Sequence, residues 1–194
     1  MDGYSWLIKF IYFNSCNLSC ITANKQVEKQ MELSNKQLLF EKRIEVYNVV
    51  DEIEIICSIT LNSKNKLTTE NIGVLLRDLT GNEYFEEIYN ITSIEVGAES
   101  LEDIHLLEKY LRVIKKLLLL SDMLTMIFGE TDYIVAVSRY INAYHILLSG
   151  IYEYYRTTTS LKEVQNRLHN LENSYNKMND SDSLGKLRKS IQLF

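Results

Sequence analysis

A chain of 194 residues without a single proline has few ways to fold. Proline marks turns, starts helices and blocks their interiors, so its absence favours a few long elements joined by short polar loops. Seven glycines remain to break the backbone. A hydrophobic share of 46% supplies a core and a charged share of 24% a solvated surface, the balance of a globular chain. No stretch alternates polar and apolar residues with the period of two that marks a half-buried strand. The fold class predicted is all-α: an antiparallel bundle of long amphipathic helices, with a projecting first long helix and no β-sheet.

Apolar spacing places the helices. From Lys25 to about Ser63 neither Gly nor Pro intervenes, and Phe40, Ile44, Tyr47, Val50, Ile53, Cys57 and Leu61 form one stripe at steps of three and four. The part before it is polar apart from Val27, Met31 and Leu33, and reads as a stalk. Such a helix spans roughly 55–60 Å at a rise of about 1.5 Å per residue. After a loop at 62–66, a short helix over 68–79 turns Ile72, Leu75, Leu76 and Leu79 inward, and another carries Phe85, Ile88 and Ile91. Gly81 and Gly97 break the chain on either side of the latter. Ser100 to Asp103 resembles a capping box opening a helix with Leu101, Ile104, Leu107, Leu111, Ile114 and Leu118 inward, and Gly129 ends it. Its run from Leu117 to Leu120 makes it the expected most buried helix. The next, over 131–155, has Ile134, Val137, Ile141, Tyr144, Leu148, Ile151 and Tyr155 in unbroken 3/4 steps. Ser160 to Glu163 is a second capping box, before Leu161, Val164, Leu168, Leu171, Tyr175 and Met178. A loop at 179–183 leads to a last short helix with Leu184, Leu187 and Ile191. Strict 3/4 spacing is the seam of coiled coils and antiparallel bundles.

Residues 1–24 differ from the rest, so the domain reading is an apolar N-terminal segment, 1–24, and one helical-bundle domain, 25–194. From Tyr4 to Ala23 the only charge is Lys9, over a length that matches a bilayer span of roughly 20 residues. Lys9, Asn14 and Asn17 are costly in lipid, and there is no basic region ahead of the apolar run as in a signal peptide. Three readings stand: a helix packed on the bundle, a segment lying in a membrane interface through Trp6, Phe10 and Phe13, or a degenerate anchor. The localisation that follows is cytoplasmic, with membrane contact under the last two readings.

Net charge is −5, from 21 basic and 26 acidic residues, and the densest basic spots, Lys115-Lys116 and Lys186 with Arg188 and Lys189, are too small for a phosphate track. Nucleic-acid binding through bulk electrostatics is disfavoured. Cys16, Cys20 and Cys57 lack metal-ligand spacing and read as free thiols of a reducing compartment. Glu102 and His105 form an E-x-x-H, but a di-iron bundle needs a second copy and two further Glu ligands. No metal or cofactor is expected. Six of the thirteen tyrosines fall between positions 133 and 155, where a seam or protein interface with bonded hydroxyls suits them better than a base-stacking platform.

Two resemblances add expectations. Arg139 and His145, in R-Y-I-N-A-Y-H, resemble the R-x(4–6)-H signature of HEPN-domain ribonucleases, which are small, all-α and often dimeric. That resemblance implies a metal-independent RNA cleavage in which Arg139 stabilises phosphorane charge and His145 handles the 2′-hydroxyl proton. The segment LSNKQLLFEKRIEVYNVV (33–50) is similar to a stretch of small helical, often N-terminally anchored proteins of low-GC bacteria and mobile elements, in which an LFEKRxExY helix is followed later by an F-x-x-D-like turn, here within 127–132. It implies a helical, membrane-proximal protein and no particular activity.

The leading functional expectation is a helical interaction or assembly protein that self-associates, its partner a second copy or another helix. The alternative is a HEPN-like ribonuclease acting as a toxin or phage-defence effector, with Arg139 and His145 as its catalytic residues.

Overall fold

The computed structural model describes residues 3–62, 67–69, 71–80, 104–156 and 158–192, and side chains within the first helix from residue 23 and within the third from residue 110. Among the described residues every regular element is a helix: α1 Gly3–Asn62, α2 Ile72–Leu79, α3 Ile104–Phe128, α4 Asp132–Tyr155, α5 Leu161–Asp180 and α6 Ser183–Gln192. The all-α class is therefore correct. The helix expected around Phe85, the breaks at Gly81 and Gly97, and the cap at Ser100 lie outside the described residues, as do the side chains of Trp6, Phe10, Phe13, Cys16, Cys20 and His105.

Helix α1 passes residue 24 without interruption. Two compact units divide the chain at Glu41/Lys42. In the first, the described side chains from Ala23 to Glu41 are all exposed, among them Val27, Met31, Leu33 and Leu38, and exposed pairs such as Lys36–Glu32 support the helix.

In the second unit α4 is the central element. It packs on α2, α3, α5 and α6, and its expected seam is buried at Ile134, Val137, Ile141, Tyr144, Leu148 and Ile151. It buries a second face as well, through Tyr140, Ala143, Leu147 and Gly150. Gly150 leaves room for a neighbour: a Cβ there would lie 2.6 Å from Arg167 Cδ. The Arg167 guanidinium reaches from α5 to donate to Glu153 at 2.8 Å and to the Ile146 carbonyl at 3.3 Å.

Buried tyrosine hydroxyls fasten the neighbours to α4 through backbone carbonyls. Tyr140 donates to Ile53 of α1 at 3.1 Å, Tyr144 to Leu79 at the end of α2, and Tyr110 of α3 to Leu148. Burial pushes the pKa of all three hydroxyls well above the ordinary tyrosine value, so they remain donors. Ser121 of α3 and Ser138 of α4 bond across the same interface at 2.8 Å. Partner numbers fall along α4 as they rise along α3, so these two helices run in opposite directions. Tyr110 and Tyr152 stack with centroids 5.2 Å apart, which gives the tyrosine concentration on α4 a packing role.

The expected core register of α3 is corrected. The buried stripe is Tyr110, Val113, Ile114, Leu117, Leu120, Ser121 and Leu124, whereas Leu111 and Leu118 are 46% and 45% exposed. Both stripes have 3/4 spacing, and the leucine run 117–120 fits either. Tyr110 and Ser121 decide it, because both find partners across the α3–α4 interface. Among the described side chains the most buried helix is α4 rather than α3. On α1 the core is Val46, Val50, Ile53 and Cys57, while Phe40 and Ile44 are exposed.

The helix ends follow local chemistry. Gly129 takes φ +82° directly after α3, and its N–H donates to Thr125 at 3.0 Å, the left-handed stop expected of it. Ser160 caps α5 by accepting from the Glu163 N–H at 3.3 Å. The break before α6 is tighter than the expected 179–183 loop: α5 continues to Asp180, and the turn uses Asp182 at φ 48°.

The register of α3 yields a paired prediction. Leu117→Ala should cost about 2–5 kcal/mol by opening a core cavity, and Leu118→Ala about 0.5 kcal/mol or less. Urea unfolding of both variants measures this; equal costs would contradict the assigned register.

Candidate interaction surface

The outer faces of α1 and α3 carry apolar side chains that no described core element covers. On α3, Leu119 is 51% and Met126 83% exposed, and on α1 Ile55 and Ile59 are also exposed. Between the two helices runs a groove of about 340 Å³ with Val46 and Val49 on the α1 side and Leu119, Leu120 and Met123 on the α3 side. Glu45 and Lys116 stand at its walls. Scattered exposed apolar residues are ordinary, but a contiguous apolar groove with a charged rim has the composition of a protein-binding surface.

Arg43 on α1, close in sequence to the Glu45 wall, reaches across to the end of α3. Its guanidinium donates to the Ile127 carbonyl through Nε at 3.3 Å and Nη2 at 3.1 Å. That carbonyl is among the last of α3, which lack helical partners, and a cation suits the negative end of the helix dipole. The same guanidinium lies 5.4 Å from the centroid of the Phe128 ring, a cation–π distance.

The candidate catalytic pair is placed differently. Arg139 and His145 both lie on α4, Arg139 exposed and His145 half-buried. Six residues turn a helix by about 600°, leaving the two directions roughly 120° apart. The Nδ1 of His145 is buried and makes no hydrogen bond, and burial lowers its pKa from the ordinary 6.5. Within one chain, therefore, the two side chains do not share a face.

Cys57 is a free thiol in the core beside Tyr140, pushed up to about 12 by burial, and such a thiol is a poor nucleophile at neutral pH. Among the described residues no three His, Cys, Asp or Glu side chains gather as metal ligands. Helix α4 is also the one described helix long and apolar enough to cross a membrane, and half of its apolar stretch is buried in the fold, as in a core helix.

Sequence reasoning missed the groove because it assigned α3 the alternative leucine stripe. An available signal was Leu119 and Met126 beside Arg112, Lys115 and Lys116, a mixed apolar and basic face that suits a surface better than a core.

Comparison with known proteins adds no likeness: no family model matches the chain, nor does any curated protein or solved structure.

His145 predicts a pH effect. Its folded pKa is depressed, so below about 6.5 the unfolded chain binds the proton first. Stability should be free of this cost above that value, fall as pH drops through the interval, and level off below the folded pKa. His145→Gln should lose less melting temperature than the wild type between about pH 7.5 and 5.5. Equal losses would show that the imidazole does not titrate differently on folding.

Proposed function

We propose that this chain is a helical interaction or assembly protein that works by self-association. The single observation behind the reading is the apolar groove between α1 and α3, with Leu119 and Met126 exposed beside it. Burying apolar surface is the main driving force of protein association, and the depletion of charge at the groove floor suits a protein partner. The N-terminal segment 1–24, with Trp6, Phe10 and Phe13, is on this reading a docking or membrane-facing end of a cytoplasmic assembly. The similarity of 33–50 to anchored helical proteins of low-GC bacteria agrees with that placement.

Sedimentation velocity of the full chain tests the reading. The expected result is a concentration-dependent shift from monomer to a larger species. A compact monomer at all concentrations would overturn it.

A second reading, the HEPN-like ribonuclease, rests on His145. Its half-buried imidazole has an Nδ1 without a hydrogen bond and a pKa lowered by burial from the ordinary 6.5, which favours the neutral form that a general base needs. Arg139 is exposed on the same helix, so a shared site needs Arg139 and His145 from different copies. If RNA cleavage is present and is abolished by Arg139→Ala and by His145→Ala, this reading holds. If the wild type cleaves no RNA, or the variants cleave as well as it does, the reading fails.

A further inference from the structure

Helix α3 turns a face to solvent that is not composed for water. Between Tyr110 and Ile127 four large apolar side chains are exposed, Leu111, Leu118, Leu119 and Met126, together with three cations, Arg112, Lys115 and Lys116. Asp122 is the one other exposed residue of that stretch, and no exposed Ser, Thr, Asn or Gln interrupts it. At about 100° per residue these positions fall within roughly 160° of arc, opposite the buried stripe, and extend for roughly 20 Å along the helix. None of the three cations has an ion pair among the described residues. Helix α5 shows the contrast: its exposed residues are Asn, Lys, Glu, Asp and His, with no apolar side chain among them. A solvated face of this chain therefore looks like α5, and the outer face of α3 has the composition of a surface that is covered.

The chemistry of the face selects its partner. It joins unpaired positive charge to apolar area in a chain whose net charge is −5, so the partner must supply negative charge and an apolar medium together. A nucleic acid would engage the cations and leave the leucines idle, and the face exposes no aromatic ring on which a base could stack. A second copy of the same face would set three cations against three, with Asp122 the one counter-charge on each side, and like charges so placed oppose association. An anionic lipid surface meets both demands. Its headgroups take the cations, whose aliphatic stems lie along the leucines, while the apolar side chains enter the boundary between headgroups and acyl chains. We infer that the outer face of α3 binds anionic membrane surfaces, the helix lying flat with its opposite side still in the core. The inference goes beyond the self-association reading and does not rest on it, since the groove beside α1 shares only Lys116 and Leu119 with this face.

Flotation of the full chain with lipid vesicles tests it. Binding to phosphatidylcholine vesicles that contain phosphatidylserine should exceed binding to phosphatidylcholine alone by roughly tenfold or more, and the excess should shrink as salt rises. Arg112→Gln, Lys115→Gln and Lys116→Gln should each weaken binding to the anionic vesicles roughly fivefold. Asp122→Asn should strengthen it by a similar factor, a gain that a merely structural role would not give. Leu118→Asn and Met126→Asn should weaken it roughly tenfold without changing its salt dependence. Lys162→Gln and Lys177→Gln, which remove the same charge from the exposed face of α5, should change nothing. Equal binding to both vesicle types, or binding to neither, overturns the inference. So does anionic-vesicle binding that the α3 variants leave intact or that the α5 variants reduce as much. If the α3 cation variants abolish binding to an RNA or an acidic peptide and spare vesicle binding, the face takes that partner and the inference falls. Sedimentation of the same variants without vesicles reads self-association separately, so failure of one claim is distinguishable from failure of the other.

Discussion

The second unit depends on burying α4 on two faces at once. A helix that contributes one stripe to a core can lean on a single neighbour, but α4 loses both its Ile134–Ile151 seam and its Tyr140–Gly150 face to the interior. Roughly 1.5–3 kcal/mol is gained for each large aliphatic side chain fully buried, and α4 supplies more of the described core than any other helix. Hydrophobic burial is not directional and leaves open how neighbouring helices register. The tyrosine hydroxyls supply that register. Tyr140, Tyr144 and Tyr110 bond carbonyls at Ile53, Leu79 and Leu148, and misregistered partners would strand those hydroxyls in the interior at about 1–3 kcal/mol each.

Arg43 extends the same logic to the edge of the core. It covers the end of α3 by bonding the Ile127 carbonyl and stacking on Phe128, next to Gly129, whose positive φ ends the helix. Leu119, Met126 and Val49 line or flank a surface that no described residue covers, and in the proposed function that surface is where the protein acts.

Much of the architecture was legible in the residues, and the misreadings have physical causes. The α4 seam could be read from spacing alone because its apolar positions step by three and four without a miss, and the second buried face lies beside it rather than in its place. Gly129 and Ser160 announced their helix ends through conformational and capping chemistry that acts within a few residues. Helix α3 misled because Leu111, Leu118 and Leu119 compete with Val113, Leu117 and Leu120, and spacing cannot choose between two valid stripes. The choice is made by Tyr110 and Ser121, whose partners Leu148 and Ser138 are distant in sequence. The same long-range dependence hid the groove, since a surface becomes readable only after the core register is known. Arg139 and His145 were legible as a motif, but the exposure of one and the partial burial of the other come from packing around α4.

Hydrogen–deuterium exchange followed across a range of protein concentrations tests most directly the claim that α4 holds the core and leaves the α1 and α3 faces for association. Amides in α4 should exchange slowest at every concentration, because they open only with the whole unit. Amides flanking the groove, over 43–52 of α1 and 112–126 of α3, should gain protection as concentration rises. An α4 that exchanges as fast as residues 23–41, or groove amides whose protection is the same at all concentrations, would contradict the account.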